Sequence, residues 1–375
     1  MDFGFSEEQE MLRQSARAML ERECTPAHVR QMMEDGRGFS PDLWRRMAEL
    51  GWLGLVLPAD FGGTGLGHVD LAVVAEEMGR VLLPSPFMWT IMFADVVATA
   101  GSAEQKQRFL PAIARGELLT TTAYLESAGT WGEGGIAMSA RKSGAGFVFD
   151  GEKLFVNDAH IAEFLLVAAR TGGRNGGVSL FVIDAKSTGI EVTPLKSMDQ
   201  TRKLGRIAFR SVKVPPSSVV GKVNGGWAVL AGAIDRAKVA LAAEMIGGAQ
   251  KVLETAVGYS KVREQFGRPI GSFQAVQHKC ANMMVDIEAA RSAIYYAAWA
   301  VSNEAPDAHA AAAVAKAAAS DAYTRIAADA IQVHGGIGFT WEHDMHLYFK
   351  RAKSSEFTFG DSSFNREIVA QEIGL

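Results

Sequence analysis

The sequence predicts a mostly helical protein with a β domain at its centre. An N-terminal helical domain is expected over 1–118, a small β-barrel or sandwich over 119–222, and a C-terminal four-helix bundle over 223–375. Three observations predict this. The apolar period changes from helical to alternating near residue 120 and back again near 225. The middle stretch is cut into short β-rich runs by turns containing Gly, Asn and Asp. The last third is rich in alanine, the best helix former, whose small side chain lets helices approach closely.

In chain order, Ser6-Glu7-Glu8-Gln9 has the spacing of a capping box and opens a helix with Met11, Leu12, Ala16, Met19 and Leu20 on its apolar face. Ser40-Pro41-Asp42 places a cap residue before a proline at the first helical position, and Leu43, Trp44, Met47 and Leu50 form the stripe that follows. The glycine loop from Phe61 to Gly67 lacks the spacing of a dinucleotide fingerprint, and no clear strand precedes it, so it reads as a turn between helices. Helices resume over 69–82, 86–100 and 103–115. Strands are expected over 120–125, 147–150, 153–156, 164–169, 178–183, 190–194 and 206–214, with turns at Asp150-Gly151 and over 171–177. Long helices then cover 228–262, 272–303 and 307–334, the material of a bundle.

Composition excludes several classes. A net charge of −4, with Lys and Arg spread along the chain, leaves no basic footprint for nucleic acid. No apolar run reaches membrane-spanning length, and no basic leader followed by an apolar run opens the chain. Cys24 and Cys280 lie far apart in expected helices and read as free thiols, which fits a reducing, cytoplasmic setting. His343 and His346 with Asp344 lack further ligands at metal spacing, so no metal site is expected.

One stretch organises the rest. From Tyr259 to Gln274 a helix is broken at Phe266-Gly267-Arg268-Pro269 and a second begins near Ser272. Such a corner offers Arg263, Gln265, Phe266 and Gln274, and an arginine there suits bidentate contact with a phosphate. A second stretch, Gln332-Val333-His334-Gly335-Gly336-Ile337-Gly338, ends a long helix on a glycine pair that permits close backbone approach or simply stops the helix.

The block 259–274 resembles the signature of the acyl-CoA dehydrogenases, flavoenzymes that desaturate acyl thioesters, and the helix–β–helix order matches their three-part layout over nearly the whole chain. The 341–351 stretch is similar to that of bacterial members acting on steroid side chains. The resemblance implies FAD, bound non-covalently at a subunit interface. Arg263, Gln265, Phe266, Gln274, Gln332, Gly335 and Gly336 would lie near its diphosphate and adenine. Tyr124 and Leu125, with Phe155 and Asn157, align with the segments that hold the flavin ring; Phe155 and Asn157 stand where a tryptophan and a threonine are usual. The loop 128–135 departs from the family's Pro-Gly-Ala-Gly-Ser pattern, at the place where the thioester's CoA arm is held. Implied partners are an acyl-CoA substrate, electron-transfer flavoprotein as electron acceptor, and a homotetramer or a heterotetramer with a homologous chain.

The implied reaction takes the α proton with a carboxylate while the β hydrogen leaves as hydride to flavin N5. Both positions where relatives carry that glutamate are filled otherwise, by Phe359 and by Ala237. Glu244 lies seven residues past Ala237, so it shares that helix face roughly 10 Å further along the axis. It sits in the apolar run 239–246, where an isolated carboxylate is costly unless it has a partner. Glu244 is therefore the expected catalytic base, with Asp361 second. Two other readings stay open: a subunit whose base comes from a homologous chain, and a flavin monooxygenase of the same fold.

Overall fold

The computed structural model describes residues 5–172 and 176–375. The helices are α1 (Glu7–Glu23), α2 (Pro26–Glu34), α3 (Pro41–Glu49), α4 (His68–Arg80), α5 (Phe87–Ala100) and α6 (Ala103–Ala114). Eight strands follow: β1 (Thr120–Ala123), β2 (Ser139–Ser143), β3 (Gly146–Asn157), β4 (Phe164–Arg170), β5 (Val178–Asp184), β6 (Ile190–Leu195), β7 (Leu204–Val214) and β8 (Val219–Val220). The chain then returns to helix in α7 (Gly226–Val262). A short ladder of β9 (Glu264–Gln265) and β10 (Arg268–Pro269) leads to α8 (Gln274–Ser302), α9 (Ala308–His334), α10 (Met345–Phe357) and α11 (Ser362–Glu372). Among the described residues no helix is long and apolar enough to cross a membrane.

By packing the chain forms two compact units. One comprises Met1–Gln31, Gly67–Leu83 and Asp235–Leu375, the other Met32–Leu66 and Pro84–Ile234. In the first, Ser6 and Gln9 form the expected capping box of α1. The helix α4 packs so closely on α7 that the Glu244 carbonyl lies 1.8 Å from where a Cβ on Gly79 would stand, and the Glu76 carbonyl 1.8 Å from that of Gly247. Only glycine permits such an approach. The acids that α4 carries into this packing are paired: Glu77 accepts from Arg17 (2.7 Å), and Glu76 from Arg291 (3.0 Å) and Tyr295 (2.9 Å). The last two helices, α10 and α11, pack on α9 beside the three long helices. The polar character of 341–351 hides them from an apolar-period reading.

In the second unit the eight strands form one sheet in the order β6-β7-β3-β2-β4-β5-β8, with β1 added parallel to β4. The sheet curls, because rings on strands that are not neighbours touch: Phe149 of β3 lies 4.8 Å from Phe181 of β5. Those rings, with Ala123, Leu165, Val167, Ile207 and Val212, make the buried core. Two strand expectations need correction. Asp150-Gly151 is not a turn between two strands; β3 runs straight through, and Gly151 (φ 140°) absorbs a register shift against β7. Strand β2 was not anticipated, because Ser-Ala-Arg-Lys-Ser has no apolar alternation. The expected turn over 171–177 lies partly outside the described residues.

Candidate active site

At the far end of β3 a second register shift falls between Lys153 and Val156. Phe155 sits in this bulge with φ 53° and its ring 52 % exposed. A non-glycine residue in the left-handed region costs roughly 1–2 kcal/mol, and such strain gathers at functional sites. The structure brings the four β-unit candidates together here. The Leu154 N–H donates to the Leu125 carbonyl (2.9 Å), and the Thr121 hydroxyl to the Asn157 carbonyl (2.7 Å). Leu125, Tyr124 and Asn157 are buried. The Tyr124 ring meets Trp131 edge-on at 6.1 Å, and its hydroxyl and that of Thr122 are buried without a hydrogen-bond partner. Burial holds the Tyr124 phenol well above its ordinary range.

In the helical unit the two motif stretches also meet. Tyr259, near the end of α7, stacks on His334, at the end of α9, with ring centres 4.6 Å apart. His334 Nδ1 donates to the Ala330 carbonyl (2.7 Å), which leaves Nε2 buried and unpartnered, and burial lowers the ring's pKa. Beyond Tyr259, β9 and β10 form a two-residue hairpin with Phe266 (φ 54°) and Gly267 (φ 78°) at its tip, the twist a tight hairpin demands. Phe266 is 91 % exposed. Arg263, Gln265, Gln274, Gln332, Gly335 and Gly336 are all exposed too. A Cβ on Gly267, Gly335 or Gly336 would meet nothing within 4 Å. The Arg268 guanidinium covers Phe273 at 4.2 Å, and the Ile270 N–H holds the Arg263 carbonyl at 2.8 Å.

The carboxylates behave differently from each other. Glu244 is engaged: its Oε1 lies 2.5 Å from Arg351 Nη1, with the two side chains 13 % and 2 % exposed. The arginine comes from α10, more than a hundred residues away, and also donates to the Leu82 carbonyl (3.4 Å). Asp361 is the cap of α11, accepting from the Phe364 N–H at 2.8 Å. Phe359 (φ 60°) is fully buried, and Ala237 is buried as well. Under the Phe359–Gly360 turn lies a residue that sequence reasoning passed over. Lys316, fully buried in α9, donates to Ser320 Oγ (2.7 Å), the Glu356 carbonyl (3.0 Å) and the Gly360 carbonyl (3.1 Å). Burial, and then the neighbouring Lys238, pull its pKa down to about 7. Its signal was a single lysine inside an otherwise alanine-rich apolar run.

The histidines singled out for spacing serve packing. His346 stacks on Trp341 at 4.9 Å, His343 leans on His334 at 4.7 Å, and Asp344 pairs with Arg30 at 2.8 Å.

Comparison with known proteins agrees over the whole length. Sequence models of the acyl-CoA dehydrogenase N-terminal, middle and C-terminal domains match residues 6–117, 128–212 and 224–374. The acyl-CoA dehydrogenase IpdE2 of Mycolicibacterium smegmatis is 34 % identical over 356 residues, 95 % of each chain. Among solved structures, a variant of the Tcur3481-Tcur3483 steroid ACAD superposes with a TM-score of 0.88 at 32 % identity, covering 98 % of each chain. The ChsE4-ChsE5 complex of Mycobacterium tuberculosis does so with a TM-score of 0.91 at 28 % identity, covering 100 % of this chain and 99 % of that one.

Proposed function

The chain belongs to the acyl-CoA dehydrogenase family, and within it we propose that it is a FAD-carrying subunit whose α-proton-accepting carboxylate comes from a second, homologous chain. Members of this family are oxidoreductases that depend on FAD. The residues present suit that cofactor: a ring turned out of its strand by a strained bulge, unpartnered hydroxyls on Thr122 and Tyr124 of the same unit, and in the other unit an exposed arginine near backbone that no Cβ crowds. When bound, FAD supplies the acceptor for the two electrons that leave with the β hydrogen. Phe155, with Tyr124 and Leu125, would wall the flavin ring, and Asn157 would offer it a hydrogen bond. Arg263, Gln265, Phe266, Gln274, Gln332, Gly335 and Gly336 would hold the diphosphate and adenine end.

The observation that carries the subunit reading is the Glu244–Arg351 pair. A general base must present its carboxylate to Cα. Glu244 presents its carboxylate to a buried guanidinium, and breaking a buried ion pair by removing one partner is costly. Asp361 is spent on a helix cap, and Phe359 and Ala237 accept no proton. The solved neighbours named as a Tcur3481-Tcur3483 pair and a ChsE4-ChsE5 complex support an assembly of two different chains. The first of these is a steroid ACAD, which suggests a thioester whose acyl group carries rings. Electron-transfer flavoprotein is the expected acceptor, and the free thiols Cys24 and Cys280 suit a cytoplasmic enzyme.

The test is anaerobic flavin bleaching by a panel of acyl-CoA thioesters, straight-chain and steroid side-chain. The chain alone is expected to hold FAD and stay yellow. Co-purified with a homologue that carries a glutamate at the position matching Phe359 or Ala237, it is expected to bleach. Bleaching by the chain alone overturns the subunit reading. If Glu244→Gln then slows it by roughly 10²–10⁴-fold, Glu244 is the base after all; if Asp361→Asn does so, Asp361 is.

A further inference from the structure

Lys153 is fully buried on β3, immediately before the bulge that turns Phe155 outward. Its Nζ donates to Glu126 Oε1 at 2.6 Å and to the Tyr124 carbonyl at 3.2 Å. The same Glu126 carboxylate accepts the N–H groups of Ala137 and Met138, each at 3.0 Å. So the ammonium ties β3, just before its bulge, to the stretch that follows β1, and through Glu126 to the returning leg of the loop 127–137. Arg170, at the end of β4, completes the fastening. It donates to the carbonyls of Ile136 (2.6 Å), Gly176 (2.7 Å) and Glu133 (2.9 Å). The loop's returning leg is thereby held on both its N–H and its C=O side, while its tip carries Trp131 to the Tyr124 ring.

Burying a lysine is costly unless every donor finds a partner, and an apolar side chain of similar length would fill the space at least as well. Burial lowers the Lys153 pKa to about 8 even with Glu126 holding it up. The distinctive property of the ammonium here is geometric: from β3 it donates to two groups of the stretch after β1, the Tyr124 carbonyl and the Glu126 carboxylate, and that carboxylate in turn holds the loop.

We propose that Lys153 is a positioning residue, which through Glu126 sets the Phe155–Tyr124 wall and the 127–137 loop in one fixed relation. The proposal rests on the reading that this end of the β unit faces FAD. Lys153 itself touches neither flavin nor substrate; it acts through Glu126 and the Tyr124 carbonyl.

Three proteins test it: Lys153→Met, Glu126→Gln and the double variant. Two measurements are made on each, hydrogen exchange at the Ala137 and Met138 amides in FAD-free protein, and FAD affinity with the visible circular dichroism of the bound flavin. Lys153→Met is expected to speed exchange at both amides by roughly 10–100-fold, the worth of a charge-assisted hydrogen bond, and to weaken FAD binding by about as much. The double variant removes the uncompensated charge, so its thermal midpoint recovers towards wild type while FAD affinity and the flavin spectrum stay altered. If stability, affinity and spectrum all recover together, Lys153 is only half of a structural pair and the proposal is overturned. Unchanged exchange in Lys153→Met overturns it as well. Should Lys153→Met fail to fold, Glu126→Gln keeps the shape and is expected to give the same two changes, and its silence counts against the proposal. Wild-type protein that takes up no FAD would sink the flavin reading, and the exchange rates would then decide the brace alone.

Discussion

At the bulged end of β3 the charged groups are buried and answered within the chain; around the β9–β10 hairpin they are exposed, beside glycines on which a Cβ would meet nothing within 4 Å. Lys153, Glu126 and Arg170 spend their hydrogen bonds on each other and on backbone. Arg263, Gln265 and Gln274 lie at the surface, beside a phenylalanine that almost no protein atom covers. A protein seldom leaves a large ring and a cation so open at one place without something to cover them. On the proposed function the first region is a wall whose shape the chain itself holds, and the second is half a site, completed by what binds there. Mutations in the first should therefore appear as lost stability, and mutations in the second as lost affinity alone.

The largest effect should come from a third place built like the first. Arg351→Met leaves the Glu244 carboxylate buried without its guanidinium, which costs roughly 3–5 kcal/mol of stability. Denaturant unfolding of the FAD-free protein reads it as a lower midpoint with an unchanged slope. A loss below about 1 kcal/mol would mean that water reaches Glu244, and the argument against it as a base would weaken. Next comes Arg263→Ala. It should weaken FAD binding by roughly 10–100-fold, the worth of a charged hydrogen bond, while the FAD-free protein melts where wild type does. A melting shift would place Arg263 among the braced groups and blur the contrast.

The third effect is a pH dependence. Burial holds Lys316 at about 7, whereas the unfolded chain keeps that proton up to about 10.4. Between those values the folded chain binds fewer protons than the unfolded one, so stability rises with pH, by at most about 1.4 kcal/mol per unit for one group. Below about 7 both states are protonated and the gain is gone. The groups around it work both ways: Lys238 adds to the lowering, and Glu356, Asp361 and Asp321 oppose it. Lys316→Met serves as the control, since its stability should lack this share of the rise from about pH 7 to about pH 8.5. Parallel curves for the two proteins would show that Lys316 stays charged in the fold.

The contrast also explains what the sequence could and could not say. The helix–β–helix order was legible because periodicity is local: capping at Ser6, the alanine-rich helices and the alternating strands need no distant partner. The exposed candidates are legible for a related reason, as Arg263, Phe266, Gln332 and Gly336 lie in two short contiguous blocks, which the structure brings together through Tyr259 and His334. The braced half was only partly so. Tyr124 and Phe155 sat in recognisable strands, but Lys153 looked like one more strand lysine, and its meeting with Glu126 depends on a bulge that no alternation pattern reveals. Glu244 stands out in the sequence because a carboxylate in an apolar run is costly to bury. The partner that meets that expense, Arg351, lies in a polar stretch where an arginine carries no signal. Strand β2 escaped because its residues are polar, and β3 was split in two because Gly151 imitates a turn.

Phe155 provides the smallest and sharpest test, because it belongs to both kinds of region. Its backbone is fixed by the braced bulge, yet its ring is more than half exposed. In Phe155→Gly the left-handed conformation costs nothing, recovering roughly 1–2 kcal/mol of strain, against roughly 0.5–1 kcal/mol for the added freedom of glycine in the unfolded chain. The FAD-free protein should therefore gain up to about 1.5 kcal/mol, a small rise in melting temperature. FAD affinity should fall at the same time, since the wall has lost its ring. A substitution that stabilises the empty protein and weakens the loaded one marks strain held in place for a ligand. If the empty protein loses stability instead, the ring is packing against its own chain, and Phe155 joins the core rather than the site.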